Sequence, residues 1–296
     1  MSAVISPRSR ALSGLRTVFG LFKLRIGVVI AVTALAGVAI QPGDALSPLD
    51  ALAVFIAVLL ASASAGAFNQ YYETDIDARM KRTRARPFVV GRLARHRGWL
   101  VLIAALTAAG VASAWLAANA AAALFTFLGA FFYAIVYTVW LKRRTWWNIV
   151  IGGAAGSFAV LAGAAAVAPQ LSPQALLLAL ILLLWTPPHF WSLAIVCRDD
   201  YAAVGVPMLP VVKGERVAGH AILAHTLVLV ALSLWLAHWC GLVYLAFAAI
   251  GGWLFVRAAW AVARAPSKET ARACFHASLM QLSLLLVGIL LEAALT

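Results

Sequence analysis

The run ALAVFIAVLLASASAGAF at 51–68 passes without a charge into NQYYETDIDARMKRTRARP at 69–87, where three acids are followed by a dense basic stretch. An uncharged run of this length is enough to cross the hydrocarbon core of a bilayer. It therefore reads as a membrane-spanning helix that ends in a polar, ionisable segment. Hydrophobic residues make up 64% of the 296-residue chain and charged residues only 11%, with a mean hydropathy of +0.96. Soluble domains carry about a quarter charged residues, so the composition describes a polytopic all-α membrane protein.

Working outward from 51–68, apolar runs of about 20 residues predict nine spans. They lie at 22–41, 49–72, 98–117, 121–141, 147–168, 173–196, 217–237, 241–262 and 273–294, with the least-marked breaks at 117–121 and 238–241. This gives a short tail at 1–21 and one transmembrane domain at 22–296. The basic residues test the map. All 23 Lys and Arg fall in the tail to Arg25 or at the ends of the even-numbered spans: 79–97, 142–144, 198–216 and 257–272. The positive-inside rule places those segments in the cytoplasm and the C-terminus outside. The net charge of +13 is thus one-sided. It suits anionic headgroups and a phosphate held beside the acids; no soluble basic domain is present to make nucleic acid a partner. Cys197, Cys240 and Cys274 form no CxxC pair and imply neither a disulfide framework nor a zinc site. The Ser/Arg-rich first sixteen residues faintly resemble a transit peptide, but read more simply as a basic tail in a bacterial inner membrane.

Four segments carry candidate chemistry. Asn69, Glu73 and Asp77 are four residues apart and share a helix face; their oxygens suit Mg²⁺, which takes one or two carboxylates plus substrate phosphate oxygens. The alternative is that they pair with Arg79, Arg82 or Arg86. Asp75 lies about 200° round the helix from its acidic neighbours and faces away. Asp199 and Asp200 form a second acidic pair, either a solvated loop partnered by Arg198 or the other half of a diphosphate clamp. Lys142 and Arg143 follow the fourth span, as an ordinary cytoplasmic cluster or as a grip on a leaving diphosphate. In the sixth span, WTPPHFW at 185–191 places two prolines before His189. The prolines free backbone carbonyls and kink a helix, and an ionisable group at that depth bonds a carbonyl, ligates a metal or faces a substrate. His220 and His225 receive no role, and the tryptophans at 146, 147, 235, 239 and 253 read as interfacial belt and packing.

These residues together resemble the protoheme IX farnesyltransferase (heme O synthase) family of UbiA-type intramembrane prenyltransferases, over nearly the whole chain. The likeness rests on Asn69, Asp75-Ile76-Asp77, Met80, Arg82-Thr83 and Arg86-Pro87, with Tyr137-Thr138 and Leu141-Lys142-Arg143. It continues through NIVIGG at 148–153, Pro188-His189-Phe190, Asp200-Tyr201 and GVPMLPVV at 205–212. It implies a nine-helix bundle with a cytoplasm-facing cavity, farnesyl diphosphate and heme B as substrates, and Mg²⁺ as cofactor. The product would be heme O, for heme-copper terminal oxidases. Membrane lipid surrounds such a protein, and a downstream heme A synthase or oxidase assembly factors are the partners it implies. By similarity, metal and diphosphate binding fall to Asn69, Glu73, Asp77, Asp199 and Asp200. The diphosphate grip falls to Arg82, Arg86, Lys142 and Arg143, and porphyrin placement to His189. The chain departs from the family at Glu73, where Asp is usual, and at Lys23-Leu24-Arg25, where Lys-Pro-Arg is usual. After Gly156 it has Ser157-Phe158-Ala159-Val160 in place of a Pro-Pro pair, a change expected to line the cavity and to bear on substrate choice. The rival readings are a prenyltransferase for another acceptor, a quinone precursor or chlorophyllide, and a small multi-pass transporter. A transporter would be expected to keep charges near the bilayer midplane, whereas these acids cluster at span ends.

Overall fold

The computed structural model describes residue 14 and residues 17–295. Most of the expected 1–21 tail, and with it the transit-peptide-like stretch, lies outside the described residues. The described chain is helical, with no strand among the described residues. In chain order the elements are α1 (Leu24–Ile40), α2 (Pro48–Tyr72), the short α3 (Thr74–Asp77), α4 (Gly98–Ala117) and α5 (Ala120–Phe131), which continues as a π-helical segment (Phe132–Leu141). Then follow α6 (Asn148–Gly152), α7 (Ala154–Val167), α8 (Pro173–Val196), the short α9 (Arg198–Ala203) and α10 (Leu209–Val212), α11 (Glu215–Cys240), α12 (Leu242–Arg264) and α13 (Lys268–Leu295). Eight of these stretches are long and apolar enough to cross a membrane, counting α5 with its π extension and α6 with α7. The helix at the first expected span, α1, is shorter, at 17 residues.

The two weakly marked breaks are real, and local chemistry makes each. After Ala117 the chain extends at Asn119, whose side chain accepts from the Ala122 amide to start α5, an ordinary N-cap. Between α11 and α12 the backbone turns at Gly241 with φ 104°, a conformation that only glycine adopts without strain. The expected kink at Pro187-Pro188 does not interrupt α8, which is helical from Pro173 to Val196. Side-chain hydroxyls are satisfied on carbonyls around the prolines, Thr186 on Leu182 and Ser192 on Pro188, as membrane helices tolerate.

The helices form two packed groups. One contains α1, α2, α4, α5 and α7; the other contains α8, α11, α12 and α13. They are joined where α7 meets α8 and where α13 meets α1. Without a hydrophobic drive between helices in lipid, close approach of small residues supplies the packing. The tightest contact is between α1 and α7: a Cβ at Gly163 would fall on the Ala34 carbonyl, and one at Gly37 on the Val160 carbonyl. Both clashes are with backbone, so no rotamer change relieves them. Ser157 adds a buried bond from α7 to the Ala179 carbonyl of α8, at 2.8 Å.

Gly163→Val is expected to push α1 from α7 and cost about 2 kcal/mol or more, read as a lower thermal unfolding midpoint in detergent. Gly129→Ala, whose new Cβ would meet its nearest neighbours at 3.5 and 3.6 Å, serves as the control and should leave the midpoint near its original value.

Candidate active site

The acidic face forms although the helix carrying it does not run straight on. α2 ends at Tyr72 and Glu73 leaves helical geometry (φ −91°, ψ 15°) before α3 begins. The i to i+4 bonds nonetheless persist across the break. The Glu73 amide donates to the Asn69 carbonyl at 3.0 Å and the Asp77 amide to the Glu73 carbonyl at 2.9 Å. The three side chains therefore stay on one side, and all are buried: Asn69 is 2% exposed, Glu73 and Asp77 1% each. Buried carboxylates need cations. Lys142 Nζ donates to both Glu73 oxygens, at 2.5 and 2.6 Å. Arg86 donates to Asp77 at 2.5 Å and lies 3.9 Å from Glu73. Burial pushes the Asp77 carboxyl above its ordinary value, against the opposing pull of Arg86.

A third cation completes the cluster. Lys23 has φ 49°, in the left-handed region that is costly for residues with a side chain. Its turn is pinned by Gln70 Nε2, which donates to the carbonyls of Gly20 and Leu21. Held so, Lys23 Nζ donates to Asn69 Oδ1 at 2.6 Å and to the Tyr133 hydroxyl at 2.9 Å. Lys23 had no place in the expected site. The signal for it was the pair of basic residues, Lys23 and Arg25, at the start of the first span.

The π segment supplies the opposite wall. Its wider turn, with bonds such as the Lys142 amide to the Tyr137 carbonyl at 2.9 Å, turns Tyr133, Thr138 and Lys142 toward α2. Thr138 Oγ1 accepts from Asn69 Nδ2 at 3.2 Å, and the Tyr133 and Tyr137 rings stack at 5.7 Å. π turns of this kind recur at functional sites.

Lys23, Tyr133 and Tyr137 also border an apolar chamber of about 350 Å³. It is walled by α1, α2, α5, α7, α8 and α13, and His189 opens onto it. The imidazole lies between the Trp185 ring at 4.3 Å and the Phe275 ring at 4.5 Å. Its Nδ1 is 2.7 Å from Ser278 Oγ, which fixes the ring and leaves Nε2 for another partner. Ser278 also accepts at its carbonyl from Trp185 Nε1 at 3.0 Å, so α13 and α8 hold the histidine together. Of the four-residue departure after Gly156, only Ala159 lines the chamber; Ser157 and Phe158 instead make packing contacts, Phe158 with the Phe125 and Phe132 rings.

The remaining expected residues lie around this centre. Arg143 points away from Lys142 to make a two-pronged pair with Asp75, both bonds 2.7 Å; that pairing draws the Asp75 carboxyl below its ordinary range and raises Arg143. Asp75 thus faces away from Glu73 and Asp77. Arg82 is exposed, and its amide donates to Asp200 Oδ2 at 3.3 Å, which ties the first basic loop to α9. Asp199 is 78% exposed at its side chain and pairs with Lys268 at 3.0 Å. Glu73, Asp77, Asn69, Lys142 and Arg86 are therefore brought together, Asp200 sits at the edge of the same loop, and Asp199 faces outward.

Among the described residues no group of three acids, cysteines or histidines converges on a metal position. The two buried carboxylates with the Asn69 amide make a smaller, all-oxygen donor set. One guanidinium nitrogen of Arg86 lies within 4 Å of an oxygen of each carboxylate, so the two face a common position. That chemistry fits Mg²⁺ completed by phosphate oxygens.

Residues 30–284 match the UbiA prenyltransferase family. The chain is 54% identical to protoheme IX farnesyltransferase 2 of Paramagnetospirillum magneticum, over 95% of this chain and 98% of that protein. Two solved structures share the fold. A digeranylgeranylglyceryl phosphate synthase superposes with a TM-score of 0.77 at 21% identity, covering 95% of this chain and 99% of the other. A UbiA homologue from Archaeoglobus fulgidus, bound to DMAPP and Mg²⁺, gives 0.67 at 15% identity, covering 88% and 99%. The chain belongs to the UbiA prenyltransferase family.

Proposed function

We propose that this chain transfers the farnesyl group of farnesyl diphosphate to a vinyl group of heme B, giving heme O. The observation that carries the chemistry is the buried array of Lys23, Arg86 and Lys142 around Glu73 and Asp77, set at the edge of an apolar chamber onto which His189 opens. The choice of heme as acceptor follows from the 54% identity to a protoheme IX farnesyltransferase over almost its full length. The eight long apolar stretches with α1 support a nine-helix bundle in the bacterial inner membrane. In it the tail and the basic loops face the cytoplasm, the C-terminus lies outside, and 22–296 form one transmembrane domain.

In this reading the cations change partners on substrate binding. Lys142, buried, and Arg86 and Lys23, half-buried, turn from carboxylate or amide oxygens to the diphosphate, with Arg82 and Arg143 at the rim. Asn69, Glu73 and Asp77 would hold Mg²⁺, with Asp200 and Asp199 nearest the solvent. When bound, Mg²⁺ supplies Lewis-acid neutralisation of the diphosphate charge. The C1–O bond of the donor breaks and its electron pair leaves with the diphosphate, where fixed cations stabilise the growing negative charge. The apolar chamber keeps water from the allylic cation. His189, its ring clamped and Nδ1 engaged by Ser278, places the porphyrin through Nε2. The vinyl π electrons form the new bond to C1, and water adds to the resulting porphyrin-stabilised cation with loss of a proton. No side-chain nucleophile takes part.

The direct test incubates purified protein in detergent with heme B, farnesyl diphosphate and Mg²⁺, with pigments resolved by liquid chromatography and mass spectrometry. A new heme carrying farnesyl and hydroxyl additions is expected, and EDTA should abolish it until Mg²⁺ is restored. Unchanged heme from protein that binds the donor would move the reading to another acceptor. Asp77→Ala and Lys142→Ala should each lower turnover by about a hundredfold or more, in protein that still elutes as the folded species. Because Lys142→Ala leaves buried Glu73 with only the distant Arg86, at 3.9 Å, as counter-ion, the double change Glu73→Gln with Lys142→Met provides a neutral pair that should fold and stay inactive. Ser278→Ala frees the imidazole, and is expected to raise KM for heme several-fold while KM for farnesyl diphosphate holds.

A further inference from the structure

We infer that the chamber measures the prenyl chain of the donor, with Gly156 keeping its bore open and Phe125 forming part of its floor. This rests on the prenyltransferase reading of the site and adds what selects chain length.

The polar end of the chamber is at Lys23 and the tyrosines of the π segment. Moving down α1 the lining runs from Lys23 to Thr33, and down α2 from Gly66 to Val58. At 1.5 Å per helical residue these steps are about 15 and 12 Å. An extended farnesyl chain is about 14 Å long, from single bonds near 1.5 Å. The lower boundary is closed by packing. Thr33 and Ala159, both at the chamber wall, each directly precede a residue of the α1–α7 contact, Ala34 and Val160. There the backbones approach too closely to admit a Cβ at Gly37 or Gly163. Phe125 seals the α5 side: it lines the chamber and packs on the cluster of Val58, Ala159 and Ala162. The Thr33 and Thr126 hydroxyls donate to carbonyls of their own helices, Ile30 and Ala122, so the floor offers a chain end only apolar contact.

The wall glycines differ in kind. A Cβ at Gly152 would strike the Tyr137 ring and one at Gly153 the Thr186 side chain, so packing requires those two. A Cβ at Gly156 would meet nothing within 4 Å, although the residue sits in a helix inside the bundle and lines the chamber. Its missing side chain therefore serves the cavity. A larger residue there would start from a Cβ in open space and project into the bore above the floor. Hydrophobic sites of this kind discriminate by fit, with modest factors per methylene but large ones when whole isoprene units are excluded.

The test measures binding of the geranyl, farnesyl and geranylgeranyl thiolodiphosphate analogues, with Mg²⁺, to the purified full chain, alongside turnover of the three diphosphates with heme B. Gly156→Phe should raise the geranyl-to-farnesyl preference at least tenfold. Phe125→Ala should raise the geranylgeranyl-to-farnesyl preference by a similar factor. Unaltered preferences in both folded variants would overturn the ruler. Should Phe125→Ala fail to fold, Gly156→Phe decides the matter, with Gly156→Leu as a smaller step in the same direction should the phenylalanine itself fail to fold; the new Cβ meets no neighbour in either. Binding reads the ruler separately from the acceptor. Donors that bind with shifted preferences while heme stays unmodified would uphold the ruler and remove heme. A wild-type chain that binds none of the three analogues would remove both.

Discussion

Everything at the polar end of this protein depends on one buried ion pair, Lys142 to Glu73. The lysine comes from the end of the π segment and the glutamate from the cap of α2, 69 residues earlier, and the ammonium reaches both carboxylate oxygens. Each charge is compensated by the other, since an isolated ion loses several kcal/mol of hydration on burial. The pair therefore fixes where two helix ends meet. It also sets where Asn69 and Asp77 lie, because the i to i+4 bonds carry both on the same side as Glu73. Lys23 and Arg86 then close round this junction.

Such pairing also resolves an electrostatic difficulty. A site built to receive an anionic donor and a divalent cation must hold charges of both signs, desolvated, before either arrives. Here the carboxylates are neutralised by the very cations that would later face phosphate. In the reading proposed above, exchange of partners would keep each charge compensated at every stage. The side chains are already ordered, so the entropy of fixing long Lys and Arg chains has been met on folding. The chamber next to the cluster has the complementary character: apart from His189 and the lysine and arginine at its rim, its lining carries no charge.

Much of this was legible in the sequence. Helix positions followed from apolar runs, because lipid leaves little else to decide them, and the breaks at Asn119 and Gly241 carry the chemistry of a cap and of a left-handed turn. The Asn69, Glu73, Asp77 face survived as read, although the helix beneath it is broken. What escaped had no local signature. The π segment is apolar all round, so hydropathy gives no phase from which a wider turn could be told. Lys23 acts through a backbone turn set by Gln70, far away in sequence. Adjacent acids at Asp199 and Asp200 look equivalent on paper, yet one faces solvent and Lys268 while the other meets the Arg82 amide. Spacing cannot give that direction. The alanine- and glycine-rich character of α1 and α7 was visible, but which glycines touch backbone and which border a void is decided only when the helices are set side by side.

The position of Ser278 has a bearing on how the protein comes into being. This residue belongs to α13, the last helix, and it orients an imidazole on α8 made some ninety residues earlier. Leu279 and Leu282 of the same helix complete the chamber wall. During synthesis, the earlier helices enter the bilayer with the histidine unoriented and the chamber lacking one side. The site is therefore complete only with α13 packed against α8 and α1. A chain stalled or cut short before that point would carry all the charged residues of the mouth and still lack a finished compartment. Without α13 the imidazole would lose its Ser278 partner and the chamber would be open on the side that Leu279 and Leu282 close.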